Sequence, residues 1–151
     1  MTKIAIMGAM EEEIEPLLAH FDNVNIVEFA NNKYYEVNYK GVEIVIAYSK
    51  IGKVFASLTA ATMIEKFECD TLLFSGVAGG INPKLKIGDL IIADKLCQHD
   101  LDITAFGHPN GFVPGGSVFV ETSEKLRTVA KEVANENDLK VIVGTIATGD
   151  Q

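Results

Sequence analysis

Positive charge is scarce in this sequence, and arginine is almost absent. Lysine and arginine together number 13 against 21 aspartates and glutamates, giving a net charge of −8, and Arg127 is the single guanidinium. With no basic stripe to offset that balance, the chain repels phosphate backbones, which excludes nucleic acid as a partner. The two cysteines, Cys69 and Cys97, stand far apart with no CxxC or Cys/His cluster around them. That argues against a disulfide framework or a zinc site and leaves both as reduced packing residues. Long hydrophobic runs are also missing: nothing approaches the ~20 apolar residues that cross a bilayer. Met1-Thr2-Lys3 leads into only a short apolar run and then Glu11, Glu12 and Glu13, too little for a secretory signal. A cytoplasmic protein without membrane contact is expected.

What is present is an ordinary globular balance, 48% hydrophobic and 23% charged over 151 residues, enough for one domain spanning 1–151. Residues 3–7 read as a buried strand ending at Gly8, and residues 10–20 as a helix with Met10, Ile14, Leu17 and Leu18 on one face. Two strands, 25–30 and 34–39, flank a turn expected at Asn31-Asn32-Lys33, and a third, 43–48, follows Gly41. A helix over 53–67 carries Val54, Leu58, Ala61 and Ile64 as its apolar stripe. The uninterrupted run 71–74 predicts a strand covered on both faces. A strand over 90–93, a polar stretch through Gly116, a helix capped by Ser123 with Leu126, Val129, Ala130, Val133 and Ala134 inward, and a strand over 140–147 complete the pattern. Interleaved strands and helices predict an α/β three-layer sandwich around a central, mostly parallel mixed sheet. Because an apolar strand normally leads to a helix that covers it, the stop just after 140–147 predicts a domain incomplete at its C-terminus.

Ligands of open α/β sheets gather at the C-terminal ends of strands. Three such ends carry unusual residues: Gly8-Ala9-Met10-Glu11-Glu12-Glu13, Gly76-Val77-Ala78-Gly79-Gly80 and Thr148-Gly149-Asp150. A glutamate entering a helix from a strand end can serve as a general base, or it can simply satisfy the helix dipole. The glycine-rich segment admits close backbone approach or a bare tight turn, and it fits neither GxGxxG nor the P-loop. His99, Asp100 and Asp102 are too loosely spaced to recommend a metal. Phe106, Phe112 and Pro114 can form a lid, an interface patch or ordinary packing.

Taken together, these segments resemble the 5′-methylthioadenosine/S-adenosylhomocysteine nucleosidases. The likeness runs through Gly8-Ala9-Met10-Glu11-Glu12-Glu13, Ser49-Lys50-Ile51-Gly52-Lys53-Val54, Gly76-Val77-Ala78-Gly79-Gly80, Asp102-Ile103-Thr104-Ala105-Phe106-Gly107 and Thr148-Gly149-Asp150, in family order and spacing. It covers the chain from Lys3 onward and is strongest to the branch that also hydrolyses 6-amino-6-deoxyfutalosine in menaquinone synthesis. The resemblance implies a nucleoside phosphorylase-like fold and hydrolysis of an N-glycosidic bond, releasing adenine without a cofactor. It implies that Glu13 activates the attacking water and that Met10 lies beside it. Ala78 and Gly79 would line the adenine and ribose site, and Val77 beside them would belong to the same substrate-binding segment. Ile51 would line the slot for the 5′ substituent. Ile103, Phe106 and Pro114 would reach a neighbouring subunit's slot, which implies a homodimer with shared sites.

Two departures stand out. Many family members have serine where this chain has Val77. The family is also longer: its adenine-stacking phenylalanine, its Met-Glu ribose grip and the aspartate that protonates the purine would all follow Gln151. Asp150 matches a structural aspartate instead. Loss of the acid alone would cost on the order of 10²–10⁴-fold, so a chain ending at Gln151 is expected to be weakly active or inactive by itself. Two other readings remain open: a phosphate-dependent purine nucleoside phosphorylase, and a non-catalytic fragment that only binds or dimerises. A phosphate clamp recruits arginine, and Arg127 lies far from every motif, which favours hydrolysis.

Overall fold

The computed structural model describes residues 2–150. They form two compact units, Met1–Val77 and Ala78–Gln151. In the first unit, β1 (Lys3–Gly8) lies between β4 (Val42–Tyr48) and β5 (Thr71–Phe74) and runs parallel to both. Beyond β4, β3 (Asn32–Tyr39) and β2 (Asn25–Phe29) continue the sheet as an antiparallel meander. The strand period of two sorts β1 and β4 into two faces. Ala5, Met7, Val45 and Ala47 join Tyr34, Met63, Phe67 and Cys69 on the side of α2 (Lys53–Glu65). Ile44 and Ile46, with Ile4 and Ile6, join Ile14 and Leu17 of α1 (Glu11–Leu18) on the other. Helix, mixed sheet and helix form three layers, the α/β architecture that the sequence indicated.

Three local expectations are corrected. The first hairpin turns at Ala30 and Asn31, with φ of 48° and 59°, because Phe29 pairs with Asn32. Two consecutive positive φ values suit the twist of a two-residue hairpin. Asn32 is therefore a strand residue, and its side-chain amide donates to the Tyr48 carbonyl at 3.0 Å.

The apolar stripe expected on α2 faces outward: Val54 is 75% exposed, and Leu58 and Ile64 are about half exposed. The sheet instead receives Ala56, Thr59, Ala60 and Met63. The helix is apolar nearly all round, so periodicity does not choose a face. Small side chains let it approach the strands, and the Thr62 hydroxyl is satisfied by the Leu58 carbonyl at 2.8 Å. Finally, β5 forms where expected but is an edge strand, and Leu72, Leu73 and Phe74 are exposed rather than covered on both faces.

In the second unit, β6 (Leu90–Gln98) is central, parallel to β8 (Val141–Thr148) and antiparallel to β7 (Phe119–Glu121). The strand expected over 90–93 continues through a register shift between Ala93 and Lys95, which carries it past the polar Asp94. β7 had no sequence expectation. α3 (Glu124–Glu136) packs against β6 and is capped by the Ser123 hydroxyl, which accepts from the Leu126 amide at 3.4 Å. Ala134 is buried and Leu126 partly so, while Val129 and Val133 stay about half exposed.

Ile46 packs without exposure in the α1-side core. Ile46→Ala is expected to cost about 2–5 kcal/mol of unfolding free energy, measured by denaturant titration. A loss below about 1 kcal/mol would show that this face is not close-packed.

Candidate active site

The ends of three parallel strands meet where β1 gives way to α1. The Ser49 amide donates to the Gly8 carbonyl at 2.7 Å, and the Ser75 amide donates to the Met7 carbonyl at 2.9 Å. Chain leaving β4 and chain leaving β5 are thus fastened to either side of the last turn of β1. From that turn α1 starts, with Met10 as its extended N-cap residue (φ −127°, ψ 157°). A helix N-terminus leaves amides without intrahelical partners, and serine, threonine or aspartate usually accepts from them. Methionine has no oxygen to offer.

Glu13 makes the complementary contact, turning back over the start of its own helix to serve the amide of the N-cap residue and the one before it. Its Oε2 accepts from the Ala9 amide at 2.6 Å and the Met10 amide at 3.1 Å. Its Oε1 accepts from the Val77 amide at 2.9 Å, 64 residues away on the segment leaving β5. A carboxylate has about four lone-pair positions. Among the described residues three are taken by oriented backbone donors, two at Oε2 and one at Oε1, which leaves one at Oε1. The carboxylate is partly buried, its charge is matched by the helix N-terminus, and its direction is set by three bonds. One open acceptor position on an immobilised carboxylate can take a proton from a water molecule.

The neighbouring acid behaves differently. The Glu11 carboxylate faces the Tyr48 hydroxyl at the end of β4, and its pull on the phenolic proton raises the tyrosine pKa above its ordinary 10.0. Burial and the Glu11 charge push it the same way. The Tyr48 side chain thus lies beside the first turn of α1. No sequence signal marks it, because Tyr48 and Glu11 become neighbours only through the pairing of Tyr48 with Gly8.

Of the residues nominated from the sequence, Glu13, Met10 and Val77 come together through the hydrogen bonds above. Ile51 follows the left-handed Lys50 (φ 71°) and is 74% exposed, while the Val77 side chain is 80% exposed. Ala78, Gly79, Ile103, Phe106 and Pro114 belong to the second unit. There the Asp102 carboxylate accepts from the Thr104 amide at 2.9 Å, which, with the Thr104 hydroxyl, holds its pKa below the ordinary 3.8. That contact starts the short 3-10 turn Thr104–Phe106, on which Phe106 is 82% exposed. Phe112 is stacked on His108, ring centroids 4.6 Å apart, as a packing residue. Asp100 Oδ2 accepts from the Asp150 amide at 2.6 Å, and His99 lies against Gly149. Among the described residues no group of three or more His, Cys, Asp or Glu side chains is placed to hold a metal ion.

Two measurements test this geometry. In E13Q the amide nitrogen of the side chain faces a backbone donor, so one bond is lost at about 1 kcal/mol. Hydrogen exchange at the Val77 amide is expected to accelerate, and unchanged exchange would contradict the contact. For Tyr48, a raised pKa means the fold favours the neutral phenol. The stabilisation is complete below the unfolded pKa and fades as pH rises through the folded one. In a spectrophotometric titration Tyr48 should ionise above 10.0 and move down in E11Q. No movement would deny the contact.

The chain matches the phosphorylase superfamily over residues 3–151. It is 59% identical over its whole length to the aminodeoxyfutalosine nucleosidase of Campylobacter jejuni, covering 66% of that protein. It is 40% identical to the 5′-methylthioadenosine/S-adenosylhomocysteine nucleosidase of Buchnera aphidicola over 98% of this chain and 63% of that one. Among solved structures, the Campylobacter jejuni 5′-methylthioadenosine/S-adenosyl homocysteine nucleosidase superposes with a TM-score of 0.97 at 58% identity, over all of this chain and 66% of that one. A futalosine hydrolase mutant of Helicobacter pylori gives 0.97 at 48% identity, with the same coverage. The chain thus spans about two thirds of the length of these relatives. With that match across nearly every residue and a shared α/β fold, the chain belongs to the phosphorylase superfamily.

Proposed function

We propose that this chain supplies the water-activating half of a nucleosidase that hydrolyses 5′-methylthioadenosine, S-adenosylhomocysteine and 6-amino-6-deoxyfutalosine, releasing adenine. The observation that carries the reading is the single open acceptor position on Glu13 Oε1, at the C-terminal ends of the parallel strands. A water donating to that position is oriented with its oxygen lone pair directed away from the carboxylate. As the bond between C1′ and the purine nitrogen breaks, its electron pair leaves with the base and the ribose gains oxocarbenium character. The water oxygen bonds to C1′, its proton passes to Glu13, and an acid on the opposite side protonates the purine. No carboxyl group of this chain is assigned to that second role.

Met10 is proposed to lie beside the water, with Val77, Ala78 and Gly79 along the nucleoside. Ile51, Ile103, Phe106 and Pro114 are proposed to wall an apolar slot for the 5′ substituent. The high exposure of Ile51 and Phe106 fits residues awaiting such a partner. The last three are proposed to serve a neighbouring copy, so the protein is a homodimer. The outward face of α2, with Val54, Phe55, Leu58 and Ile64 exposed, supports such an assembly. Among the described residues no helix is long and apolar enough to cross a membrane, and the proposed setting is the cytoplasm.

The superfamily's name favours a second reading, attack by phosphate instead of water. The only guanidinium of the chain argues otherwise. Arg127 donates to the carbonyl and hydroxyl oxygens of Thr122, and that hydroxyl in turn donates to the Ala93 carbonyl at 2.7 Å. Through Nη1 it braces the start of α3 onto β6.

The protein as its gene encodes it should release adenine from methylthioadenosine at the same rate with and without inorganic phosphate. E13Q should lower kcat on the order of 10²–10⁴-fold. Strict dependence on phosphate, or full activity of E13Q, would overturn the assignment.

A further inference from the structure

Two glycines that bound the carboxylate have a backbone geometry open to any residue. Neither Gly8 nor Gly76 has positive φ, unlike Gly41, Gly52, Gly88, Gly107, Gly111 and Gly115. What they provide is space. A β-carbon on Gly76 would lie 2.6 Å from Glu13 Oε1, 2.9 Å from its Cδ and 3.1 Å from its Oε2. A β-carbon on Gly8 would meet Glu13 Cβ and the Ser75 carbonyl oxygen, each at 3.1 Å, and Ile14 Cγ2 at 2.9 Å. Gly79, in the same glycine-rich segment, would meet nothing within 4 Å. Crowding against Glu13 arises only at Gly8 and Gly76, whereas Gly111 and Gly149 are crowded by other groups.

We infer that Gly76 is a positioning residue for Glu13: the absent side chain lets the carboxylate lie against the segment leaving β5 with its open acceptor position aimed at the water. The inference rests on Glu13 being the base and adds to it the residue that fixes where the base sits. Any side chain at position 76 falls about 0.8 Å inside the 3.4 Å at which ordinary contact begins. The backbone need not move, because what it meets is the far end of a flexible side chain. The carboxylate yields instead. Oε2 is held by the two amides of Ala9 and Met10, so the group swings about that end. The bond from the Val77 amide to Oε1 is then the one that opens. Oε1 is also the oxygen that offers the open position, so the displacement falls on the reacting atom.

Gly8 is the poorer test site. A side chain there presses on backbone and on the buried Ile14, so its loss would report on folding. Gly76 is exposed, and Gly76→Ala separates the two effects.

The experiment uses the protein as its gene encodes it and compares wild type, G76A, E13Q and the double variant. Measured for each are adenine release from methylthioadenosine, the Kd of an unreactive analogue, and the melting temperature. G76A should lower kcat on the order of 10²-fold, the cost of about 1 Å of misplacement, while analogue affinity and melting temperature stay near wild type. On the E13Q background, G76A should change the residual rate little, because two changes that act through one group do not add. Wild-type turnover in G76A overturns the inference. So does an equal rate loss on both backgrounds, or a rate loss matched by lost affinity. A G76A chain that fails to fold also contradicts it, since a yielding side chain should absorb the substitution. Full activity of E13Q would remove the base itself, a failure visible in that variant alone.

Discussion

Three backbone amides converge on one carboxylate, and much of the first unit can be read as the means of bringing them there. Two belong to the turn between β1 and α1; the third leaves the end of β5. Their distances are fixed by strand pairing: β1 is hydrogen-bonded to β4 on one side and β5 on the other. The carboxylate accepts from the N-cap amide of Met10 and from the Ala9 amide before it, so the same contact ties down the entry to the helix and immobilises the group. Neither task can be given up without the other. A side chain that merely capped the helix would not need a donor from Val77.

The rigidity of that arrangement comes from the two-sided packing of the sheet. β1 contributes Ala5 and Met7 to one face and Ile4 and Ile6 to the other, between α2 and α1. Small residues on α2 bring the helix close to the strands, and its larger apolar side chains remain outside. That division accounts for the face of α2 as well as for the depth of the core beneath the strand ends. A sheet clamped on both faces transmits little displacement to its ends, as a fixed catalytic geometry requires.

Much of this was legible in the sequence, for reasons that differ by element. β1 and β5 are short apolar runs ended by Gly8 and by Ser75-Gly76, and α3 begins at a serine that caps it, so composition and punctuation suffice. The buried face of α2 was not legible, because a helix apolar on all sides has no period to read. The first hairpin slipped by one residue because Asn31-Asn32 offers two turn registers, and the bond from Asn32 to the Tyr48 carbonyl selects between them. β7, three residues long, is shorter than any pattern can show. In the site, residue pattern alone leaves Glu13 as one of three adjacent acids, and only the family resemblance singles it out. The contact with Val77, which separates it from Glu11 and Glu12, spans 64 residues and is invisible locally. Tyr48 and Gly76 were missed as site residues for the same reason: their partners are neighbours in the sheet and not in the chain.

The account stands on where the open acceptor position of Glu13 points. A crystal structure of the protein as its gene encodes it, bound to an unreactive methylthioadenosine analogue, tests this most directly. The account predicts a water within hydrogen-bonding distance of Glu13 Oε1, on the face of the ribose opposite the purine and in line with C1′. A nucleoside bound away from Glu13, or a carboxylate with no water between it and the sugar, would contradict it.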